Sequence, residues 1–584
     1  MSRHPLHPHA LAGRGRVTAV AATAALLCSA AAVQLGAAPT AHALANTVAL
    51  TPPMGWNTWN SFGCNPSEAL IESSADRIVS SGMKAAGYQY VTVDDCWMSP
   101  DRDANGNLQA DPAKFPHGMK AVADYVHTLG LKFGIYEVPT DRTCAQRNNV
   151  LPLGKNGLGT GSLGHEQQDA TTFAAWGVDL LKYDWCSADG DLAYQQQQFS
   201  LMRDALAATG RPIVYSINPN SFHADKTGAT FDWSGIANMW RTTEDITTSW
   251  NTGHTNSYAM GISNILNING TATIADQSGP GHWNDPDMLE VGNGGLSADE
   301  QRSHLAMWAL MSAPLMAGNK LASATPADFA LLSNPDVIAV DQDPQGAGGR
   351  LINDTNGLQT WSKRLGDGSL AVVLLNQSSA TATVSTTTGR LGLPSTASYA
   401  LKDLWTGQSG TITTDLSASL APHASAMYRI TPTGPAATPA PPADGTYELA
   451  STGSSQVMDD PGSSTVANTQ LIGYGRKNVT NQHWILTANG DGTYSVRNQA
   501  SNLCVDIRGA STSAGAAVIQ YGCSGSANQR FTPQPLPAGG FALVARNSGL
   551  AITAAGTTNG SGLTQQPIGA SRADTQSWAL NPTG

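Results

Sequence analysis

The chain has 584 residues, which at about 150 residues per domain predicts two to four domains. Hydrophobic residues make up 41% of it and charged residues 13%, and glycine and proline together stay below the fraction typical of low-complexity disorder, so the chain is expected to fold. A net charge of -11 would repel a polyanion, which argues against a nucleic-acid or anionic-membrane partner and favours a neutral or cationic ligand.

Residues 1–43 have the pattern of a signal peptide. Arg14 and Arg16 precede an alanine-rich apolar run over residues 17–33, and small residues follow up to Ala43. The run is short for a membrane anchor, which is the alternative. We therefore expect a secreted, extracellular protein with no membrane association in its mature form.

One of the seven cysteines leaves with this signal, and six remain. An even number of cysteines in an exported chain predicts disulfides, but six cysteines allow 15 pairings and the sequence alone does not choose among them. The six are Cys64, Cys96, Cys144, Cys186, Cys504 and Cys523.

Between residues 44 and 347, short β-branched or aromatic runs alternate with longer stretches that carry apolar residues at helical spacing. Repeated strand-then-helix units of this kind predict a (β/α)8 barrel, with a doubly wound open sheet as the alternative. No glycine-rich dinucleotide or phosphate loop supports that alternative. The predicted strands include residues 90–93, 132–136, 178–183 and 212–216, and the predicted helices include residues 68–86, 119–129 and 193–208.

From residue 348 to 432 the pattern changes to short alternating strands, including residues 370–375 and 381–388, which predicts an antiparallel β-sandwich. Residues 433–443 are rich in proline and are predicted to be a linker.

The last predicted domain, residues 444–584, repeats a Gln-x-aromatic signature three times, 47 residues apart, beginning at Gln482, Gln529 and Gln576. Three equal repeats predict a pseudo-threefold β unit. The domain resembles the ricin-B-type β-trefoil, a family of carbohydrate-binding modules. Each aromatic residue could nevertheless be a core residue whether or not sugar binds.

Counting back from each glutamine shows which repeats carry groups that suit a sugar. The first two repeats each supply a carboxylate, an aromatic ring and an amide, which can hold the hydroxyls and the apolar face of a sugar. The third has Thr553, Ile568 and Thr575 instead, so we expect two sugar sites and one scaffold repeat, with Cys504 bonded to Cys523. The predicted sugar-binding residues are Asp459, Tyr474, Asn481 and Gln482 in the first repeat and Asp506, Tyr521, Asn528 and Gln529 in the second.

Acidic residues follow two predicted barrel strands, at the end of the barrel where active sites are built. Asp94 and Asp95 are adjacent, an arrangement that more often belongs to a helix cap or a solvated turn. Lys182 and Asp184 are two residues apart on one strand and therefore face the same side. We expect the ammonium group to keep Asp184 ionised, as a nucleophile requires, with a structural ion pair as the alternative.

A second carboxylate facing Asp184 would complete a hydrolytic pair. Spacing alone leaves four candidates near predicted strand ends, which are Glu137, Asp245, Asp285 and Asp287.

Five motifs in chain order resemble those of the retaining α-galactosidases of glycoside hydrolase family 27, over about residues 50–432. They are Met54-Gly55-Trp56-Asn57-Thr58-Trp59, Asp94-Asp95-Cys96-Trp97, Lys182-Tyr183-Asp184, Trp240-Arg241 with Asp245, and Gly281-His282-Trp283-Asn284-Asp285-Pro286-Asp287-Met288.

The resemblance implies that Asp184 is the nucleophile and Asp245 the general acid/base, with Glu244 as the fallback. In a retaining mechanism these carboxyls lie about 5 to 5.5 Å apart. Asp94 and Asp95 are implied to grip the 4- and 6-hydroxyls of galactose. The other implied sugar contacts are Trp59, Tyr136, Lys182 and Arg241. For Trp56, core packing is as well supported as a contact in the site. The implied disulfides are Cys64–Cys96 and Cys144–Cys186.

One position departs from the family pattern. Many eukaryotic members carry a Cys-Glu-Trp sequence whose Glu contacts the sugar 2-position, and here Asn218 stands in place of that Glu. An amide can still bond a 2-hydroxyl, but α-N-acetylgalactosaminidase and β-L-arabinopyranosidase activities become alternatives. The intact Asp94–Asp95 pair favours a sugar with a 6-hydroxyl.

No cofactor or metal is predicted. The histidines form no metal-binding motif, and the loop from Asp101 to Gly106, which begins like a calcium loop, has Pro112 at its twelfth position, which suggests a solvated turn. The expected partner is a carbohydrate substrate, either an α-galactoside oligosaccharide or a polymer such as galactomannan. A non-catalytic galactose-binding lectin is the alternative from a different functional class.

Overall fold

The computed structural model describes residues 46–275, 277–391, 393, 398–433, 442–452, 456–536, 540–554, 556, 559–568 and 573–583. The predicted signal peptide lies outside the described residues, as does most of the predicted linker. Among the helices of these ranges, none has the length and apolar character needed to cross a membrane.

Eight parallel strands form the first domain. The first seven strands pair with their neighbours in chain order, and the eighth pairs with the first. The circle closes through Leu289, which follows the seventh strand and bridges Ala317 of the eighth. This confirms the predicted barrel. The strands are β1 (Met54–Asn57), β2 (Tyr90–Thr92), β3 (Lys132–Glu137), β4 (Leu180–Asp184), β5 (Val214–Asn218), β6 (Met239–Arg241), β7 (Trp283–Asp285) and β8 (Leu315–Ala317).

Helices surround these strands, which explains why the strands are buried on both faces. The single helix predicted over residues 68–86 is divided in two, because Gly82 has a φ of 89°, outside the helical region. The helices are α1 (Trp59–Phe62), α2 (Glu68–Ser80), α3 (Met83–Ala86), α4 (Gly118–Thr128), α5 (Cys144–Arg147), α6 (Glu166–Trp176), α7 (Leu192–Ala208), α8 (Ile262–Asn269), α9 (Ala272–Ala275), α10 (Ala298–Met311), α11 (Pro326–Leu332) and α12 (Pro335–Asp341).

The second domain is an antiparallel sandwich of a six-stranded sheet and a two-stranded sheet formed by β12 and β15. All seven residues of β11 are buried. Alternate residues face opposite ways, so that Val373 packs in the core shared with the barrel and Val372 in the core of the sandwich. The strands are β9 (Arg350–Thr355), β10 (Leu358–Arg364), β11 (Leu370–Asn376), β12 (Ala382–Thr387), β13 (Tyr399–Asp403), β14 (Ser409–Ile412), β15 (Asp415–Leu420) and β16 (Ser425–Pro432).

The third domain consists of short antiparallel strands around a separate core. The aromatic residues of the repeated signature, Trp484, Phe531 and Trp578, are all buried in it. The indole of Trp484 donates to the carbonyl of Met458, and the indole of Trp578 donates to that of Ile552, which is the equivalent bond in the third repeat. These aromatics therefore form the trefoil core.

The strands of this domain are β17 (Gly445–Ser451), β18 (Gln456–Asp459), β19 (Thr469–Gln470), β20 (Ile472–Gly475), β21 (His483–Ala488), β22 (Tyr494–Asn498), β23 (Cys504–Ile507), β24 (Val518–Tyr521), β25 (Phe531–Pro535), β26 (Phe541–Ala545), β27 (Ala551–Ala554), β28 (Ser561–Gln566) and β29 (Trp578–Pro582). One short helix, α13 (Ala573–Gln576), precedes the last strand.

The third repeat differs from the others in register. In the first two repeats, Val457 pairs with Tyr474 and Cys504 pairs with Tyr521. Ala551 is the counterpart of Val457 and Cys504 in the third repeat, and it pairs with Gln566. Ile568, the residue reached by counting back from the glutamine, is therefore not the structural counterpart of the two tyrosines. The hairpin is two residues shorter in this repeat, and Gln566 at the equivalent position is also not aromatic.

Candidate active site

A cavity with about 450 Å³ of empty space lies inside the barrel toward the carboxyl ends of its strands. Three of the predicted sugar contacts, Lys182, Asn218 and Arg241, line it together with residues from β1, β2, β7 and β8. Because parallel strands end at the same rim, residues far apart in the chain meet here. The polar lining is completed by Asn57, Thr92, Ser216, Asp285 and Asp287.

Lys182 links two buried carboxylates. Its Nζ lies 2.9 Å from Asp94 Oδ2 and 3.6 Å from Asp184 Oδ2. Asn57 Nδ2 also donates to Asp94 Oδ2, at 2.8 Å. Among the described residues Asp184 Oδ1 has no hydrogen-bond partner although it is buried. One oxygen of Asp184 is therefore paired with the ammonium group, and the other makes no hydrogen bond to the described residues.

Burial raises the pKa of Asp184 to about 7. Lys182 acts in the opposite direction, as expected from the sequence, while the negative charges of Asp94 and Asp245 raise the pKa further. The ammonium group thus favours the ionised form of Asp184, but desolvation, which opposes ionisation, is the larger effect. Because the charge of Asp245 contributes to the pKa of Asp184, the two carboxyl groups interact electrostatically.

Asp245 follows β6 and its side chain is 33% exposed, with Oδ1 3.2 Å from Arg241 Nη1. Arg241 is almost fully buried and its Nη2 lies 2.9 Å from Asp287 Oδ2. The same Asp287 oxygen accepts a hydrogen bond from the backbone N–H of Ile246. Asp287 therefore fixes both the guanidinium group beside Asp245 and the backbone that follows it.

The backbone of Asp287 is in the left-handed region, with a φ of 87°. Such a conformation costs about 1 to 3 kcal/mol in a residue with a side chain and persists where surrounding contacts enforce it. Here Oδ1 accepts from Met288 N and the carbonyl oxygen accepts from Trp308 Nε1. The sequence identified Asp287 only as one of four possible partner carboxylates, and its ion pair with Arg241 could not be read from spacing.

The remaining candidate carboxylates are each held by other protein groups and are less exposed than Asp245. Glu244 is paired with Lys226, and burial raises its pKa. Glu137 Oε1 accepts from Val138 N, and burial raises the pKa of Glu137 well above its ordinary value. Asp285 Oδ1 accepts from Asp287 N, and burial raises the pKa of Asp285 to about 6. Asp245 is the most solvent-accessible of the group, which suits a residue that exchanges protons with water.

Asp94 and Asp95 occupy different environments despite being adjacent. Asp95 Oδ1 accepts from Cys96 N at 2.6 Å and Oδ2 from Ala145 N at 2.8 Å, so its carboxylate holds the first turn of α5. Burial raises the pKa of Asp95 to about 6. Asp94 instead faces Lys182. A direct sugar contact by Asp95 stays a prediction, since each oxygen can still accept one more bond.

Trp59 and Tyr136 lie beside the cavity lining. Trp59 packs against the barrel interior and its backbone N–H donates to Asn57 Oδ1. The Tyr136 ring is buried, with its centroid 5.4 Å from Lys182 Nζ. Trp56 is fully buried and its indole donates to the carbonyl of Asn319, so it packs in the core.

Asn218 lines the cavity but is held by its own turn. Its Nδ2 donates to Ser221 Oγ at 2.7 Å, and its Oδ1 accepts from Asn220 N at 3.0 Å. A second N–H of the amide remains for a ligand. Asn57, which orients Asp94, is a functional residue that sequence reasoning did not single out, although it lies within the first of the five motifs.

Three disulfides are present, Cys64–Cys96, Cys144–Cys186 and Cys504–Cys523, which are the expected pairs. The first two tie down the loops that follow Asp95 and Asp184. Within the described ranges, no group of three or more His, Cys, Asp or Glu side chains is arranged to hold a metal ion. Asp103 closes its own turn by accepting from the N–H groups of Asn105 and Asn107.

The trefoil repeats share one polar arrangement. Asp459 Oδ2 accepts from the amides of Asn481 and Gln482, and Asp506 Oδ2 accepts from the equivalent amides of the second repeat, which belong to Asn528 and Gln529. In the third repeat Gln576 donates to the hydroxyl of Thr553 instead. The amides thus orient each carboxylate, and the second oxygen of Asp459 and Asp506 is left for a ligand.

The two tyrosines predicted to stack on sugar differ in exposure. Tyr521 is half exposed, whereas the Tyr474 ring is covered in part by Lys477, whose Nζ lies 4.4 Å from the ring centroid.

Family models match all three domains. Residues 51–343 match the model described as alpha galactosidase A, and residues 355–430 match the alpha galactosidase C-terminal beta sandwich domain. The ricin-type beta-trefoil lectin domain-like model matches residues 437–521 and 480–566.

Relatives of known identity agree with these matches. An alpha-galactosidase from Cyamopsis tetragonoloba is 42% identical over 66% of this chain and 88% of its own length. The structure of an alpha-galactosidase from Saccharomyces cerevisiae with raffinose is 31% identical, with a TM-score of 0.61 over 67% of this chain and all of that one. A GH27 β-L-arabinopyranosidase from Geobacillus stearothermophilus is 27% identical, with a TM-score of 0.57 over 66% of this chain and 97% of that one.

Proposed function

The chain belongs to the α-galactosidase family and is an enzyme of that family, and we propose that it releases terminal α-galactosyl residues with retention of configuration. The observation that carries this proposal is the buried Asp184, with one oxygen bound to Lys182 and the other without a protein partner, in electrostatic contact with the more exposed Asp245. A double displacement needs two carboxyl groups near one another. One attacks in its ionised form, which the ammonium group of Lys182 favours, and the other exchanges protons with water, which the exposure of Asp245 permits.

In the first step an Asp184 oxygen forms a bond to the anomeric carbon as the bond from that carbon to the leaving oxygen breaks. Asp245 gives its proton to the leaving oxygen, so that the products are a galactosyl ester of Asp184 and a free alcohol. In the second step Asp245 takes a proton from water, and the water oxygen displaces Asp184 from the anomeric carbon. Two inversions restore the original α-configuration.

Charges around the cavity support these steps. Lys182 favours the carboxylate form of Asp184 before attack and is paired with Asp94, and Arg241 holds Asp245 in place. Asp94 is the acceptor nearest to Lys182, and together they present a donor and an acceptor for galactose hydroxyls. The Asp94 carboxylate is the feature that favours a sugar with a 6-hydroxyl over an arabinopyranoside.

The stereochemical outcome tests the mechanism. Hydrolysis of p-nitrophenyl α-galactoside, followed by proton NMR within the first seconds, is expected to show α-galactose before mutarotation. The Asp184→Asn variant, which keeps size and shape, is expected to lose at least about a thousandfold in kcat because an amide is not a nucleophile. Initial formation of β-galactose, or unchanged turnover in this variant, would contradict the assignment.

A panel of aryl glycosides tests the choice of sugar. We expect kcat/KM for the α-galactoside to exceed that for the β-L-arabinopyranoside, which lacks the hydroxymethyl group, and that for the α-N-acetylgalactosaminide. A preference for either of the other two would identify the corresponding activity instead. Faster turnover of the arabinopyranoside would also show that Asp94 does not read the 6-hydroxyl.

We further propose that the enzyme is exported and acts on polymeric substrates. The support is the sequence of residues 1–43 and the trefoil, whose two sites would hold a polysaccharide near the barrel and raise its effective concentration. Intact protein mass after secretion is expected to correspond to a chain beginning at Leu44. Hydrolysis of galactomannan, but not of melibiose, is expected to fall in the Asp459→Ala, Asp506→Ala double variant. An unchanged rate on galactomannan, or equal losses on both substrates relative to the native enzyme, would argue against the trefoil's role.

A further inference from the structure

One contact joins the β-sandwich to the barrel loop that carries Asp245. The His423 ring, in the turn before β16, stacks on the Trp250 ring with centroids 4.8 Å apart and planes 11° apart. Trp250 follows Asp245 by five residues, in the loop between β6 and α8. The β-sandwich therefore touches the loop that carries Asp245 directly.

His423 is itself held in place. Its Nδ1 lies 2.7 Å from Glu300 Oε1, and its carbonyl oxygen accepts from Ser303 Oγ at 2.7 Å, both on α10. Its φ of 61° lies in the left-handed region, which is strained for a residue with a side chain. A strained residue with two contacts to one helix presents its ring at a fixed position.

The loop depends on such contacts to place Asp245. The Asp245 side chain is one-third exposed and contacts Arg241 at 3.2 Å, so the backbone sets much of its position. Ile246 N is bound by Asp287 on one side of the loop. On the other side Trp250 is 94% buried, and its carbonyl oxygen accepts from Ser263 N. Within the barrel the loop is held by Met260, which is hydrogen-bonded to the backbone of Asp245 and Thr247, and by Asp287 at Ile246. From the β-sandwich, His423 adds a contact at Trp250.

We propose that His423 is a positioning residue for Asp245 and acts through Trp250. The β-sandwich thereby determines the position of the proton-transfer group relative to the substrate. This inference rests on the proposed role of Asp245. A displaced acid slows the departure of leaving groups that need a proton and has little effect on those that leave as stable anions. Dependence on the leaving group therefore distinguishes positioning of the acid from a general loss of structure.

The experiment compares kcat/KM for two substrates, 4-methoxyphenyl and 2,4-dinitrophenyl α-galactoside, in the full-length protein. For His423→Ala we expect a loss of about tenfold on the methoxyphenyl substrate, less than the roughly hundredfold that a full 1 Å misplacement can cost. The dinitrophenyl substrate should change less than about twofold, since its phenolate leaves without a proton. His423→Phe keeps a flat ring over Trp250 and is expected to restore most of the lost rate.

Two further variants serve as controls. His117→Ala removes another His–Glu pair, 2.6 Å long, at the start of α4, and is expected to leave both substrates unchanged. His423→Leu keeps most of the side-chain volume without a ring and is measured in parallel. It is expected to show the same losses as the alanine variant, and it carries the test if the alanine variant does not fold.

Asp245→Ala separates the two proposals. If Asp245 is the acid, this variant loses far more on methoxyphenyl than on dinitrophenyl galactoside; equal losses would overturn the proposed function itself. If Asp245→Ala behaves as expected, two results would overturn the role of His423. In the first, His423→Ala and His423→Leu slow both substrates equally; in the second, they slow neither substrate. Failure of the phenylalanine variant to restore the rate would also overturn it, since stacking would then not be the cause.

Discussion

Replacing Lys182 by methionine tests the charge balance around the nucleophile. Lys182 Nζ lies 3.6 Å from Asp184 Oδ2, and at an effective dielectric constant of about 20 such a pair interacts by roughly 4 to 5 kcal/mol. In the variant, water that replaces the ammonium group would solvate the Asp184 carboxylate and offset part of the lost attraction. We therefore expect about half of this energy to act on Asp184, which corresponds to a rise in its pKa of about 1.5 to 2.

The sign of the pH effect follows directly. The nucleophile must be ionised, and the free-enzyme pKa of Asp184, which is about 7 in the native protein, appears in the acidic limb of kcat/KM. Lys182→Met removes a charge that favours the ionised form, so this limb should move to higher pH by about 1.5 to 2 pH units. The position of the limb does not depend on any loss of sugar affinity that accompanies the substitution.

The assay is the pH dependence of kcat/KM for p-nitrophenyl α-galactoside. Lys226→Met is the matched control, because it removes a lysine that pairs with Glu244 next to Asp245. The acidic limb of the Lys226→Met profile is expected to stay within about 0.5 pH units of the native value. The reason is that Lys226 pairs with Glu244 and not with Asp184. An acidic limb of Lys182→Met that is unchanged, or that moves to lower pH, would refute the reasoning.

Two further predictions concern the barrel and the trefoil. Asp287→Asn breaks a buried ion pair with Arg241 and should lower the free energy of unfolding in urea by about 2 to 4 kcal/mol, whereas Asp124→Asn, in an exposed pair, should cost less than about 1 kcal/mol. Equal effects of the two substitutions would contradict the assigned burial. Asp506→Ala should weaken retention on immobilised galactose and Thr553→Val should not, as measured by affinity electrophoresis; equal losses would remove the distinction between the second and third repeats.

The barrel could be predicted because its strands are buried on both faces and read as short apolar runs. The run ending at Asp184 placed this carboxylate at the carboxyl end of β4, two residues after Lys182 and on the same side. The short strands β6, β7 and β8, of three residues each, carry too little pattern to be recognised in this way. Closure of the barrel through Leu289 likewise leaves no local signal.

The site was less predictable because its contacts join distant segments. Spacing could not choose Asp245 from the other carboxylates, and only the family resemblance did so. Whether Asp95 faces sugar or holds the start of α5 depends on Ala145, fifty residues away. The contact between Trp250 and His423 lies between two domains, so no pattern within either segment indicates it.

In the trefoil, a constant spacing of 47 residues between glutamines concealed a shift within the third repeat. A two-residue shortening of the hairpin is compensated before the glutamine, so the overall spacing is preserved while Gln566 replaces Ile568 as the partner of Ala551. Counting along the chain therefore gave the right repeats but one wrong equivalence.

Trapping the covalent intermediate tests the central claim most directly. A 5-fluoro-α-galactosyl fluoride should inactivate the enzyme by forming a slowly hydrolysed galactosyl ester, since the fluorine substituent slows both steps and the good leaving group preserves the first. Peptide mapping by mass spectrometry is expected to place one fluorogalactosyl group on Asp184. A label on Asp245, Asp285 or Asp287 would contradict the account. Turnover of the fluoride without any labelled peptide, together with β-galactose as the first product from p-nitrophenyl α-galactoside, would also contradict it.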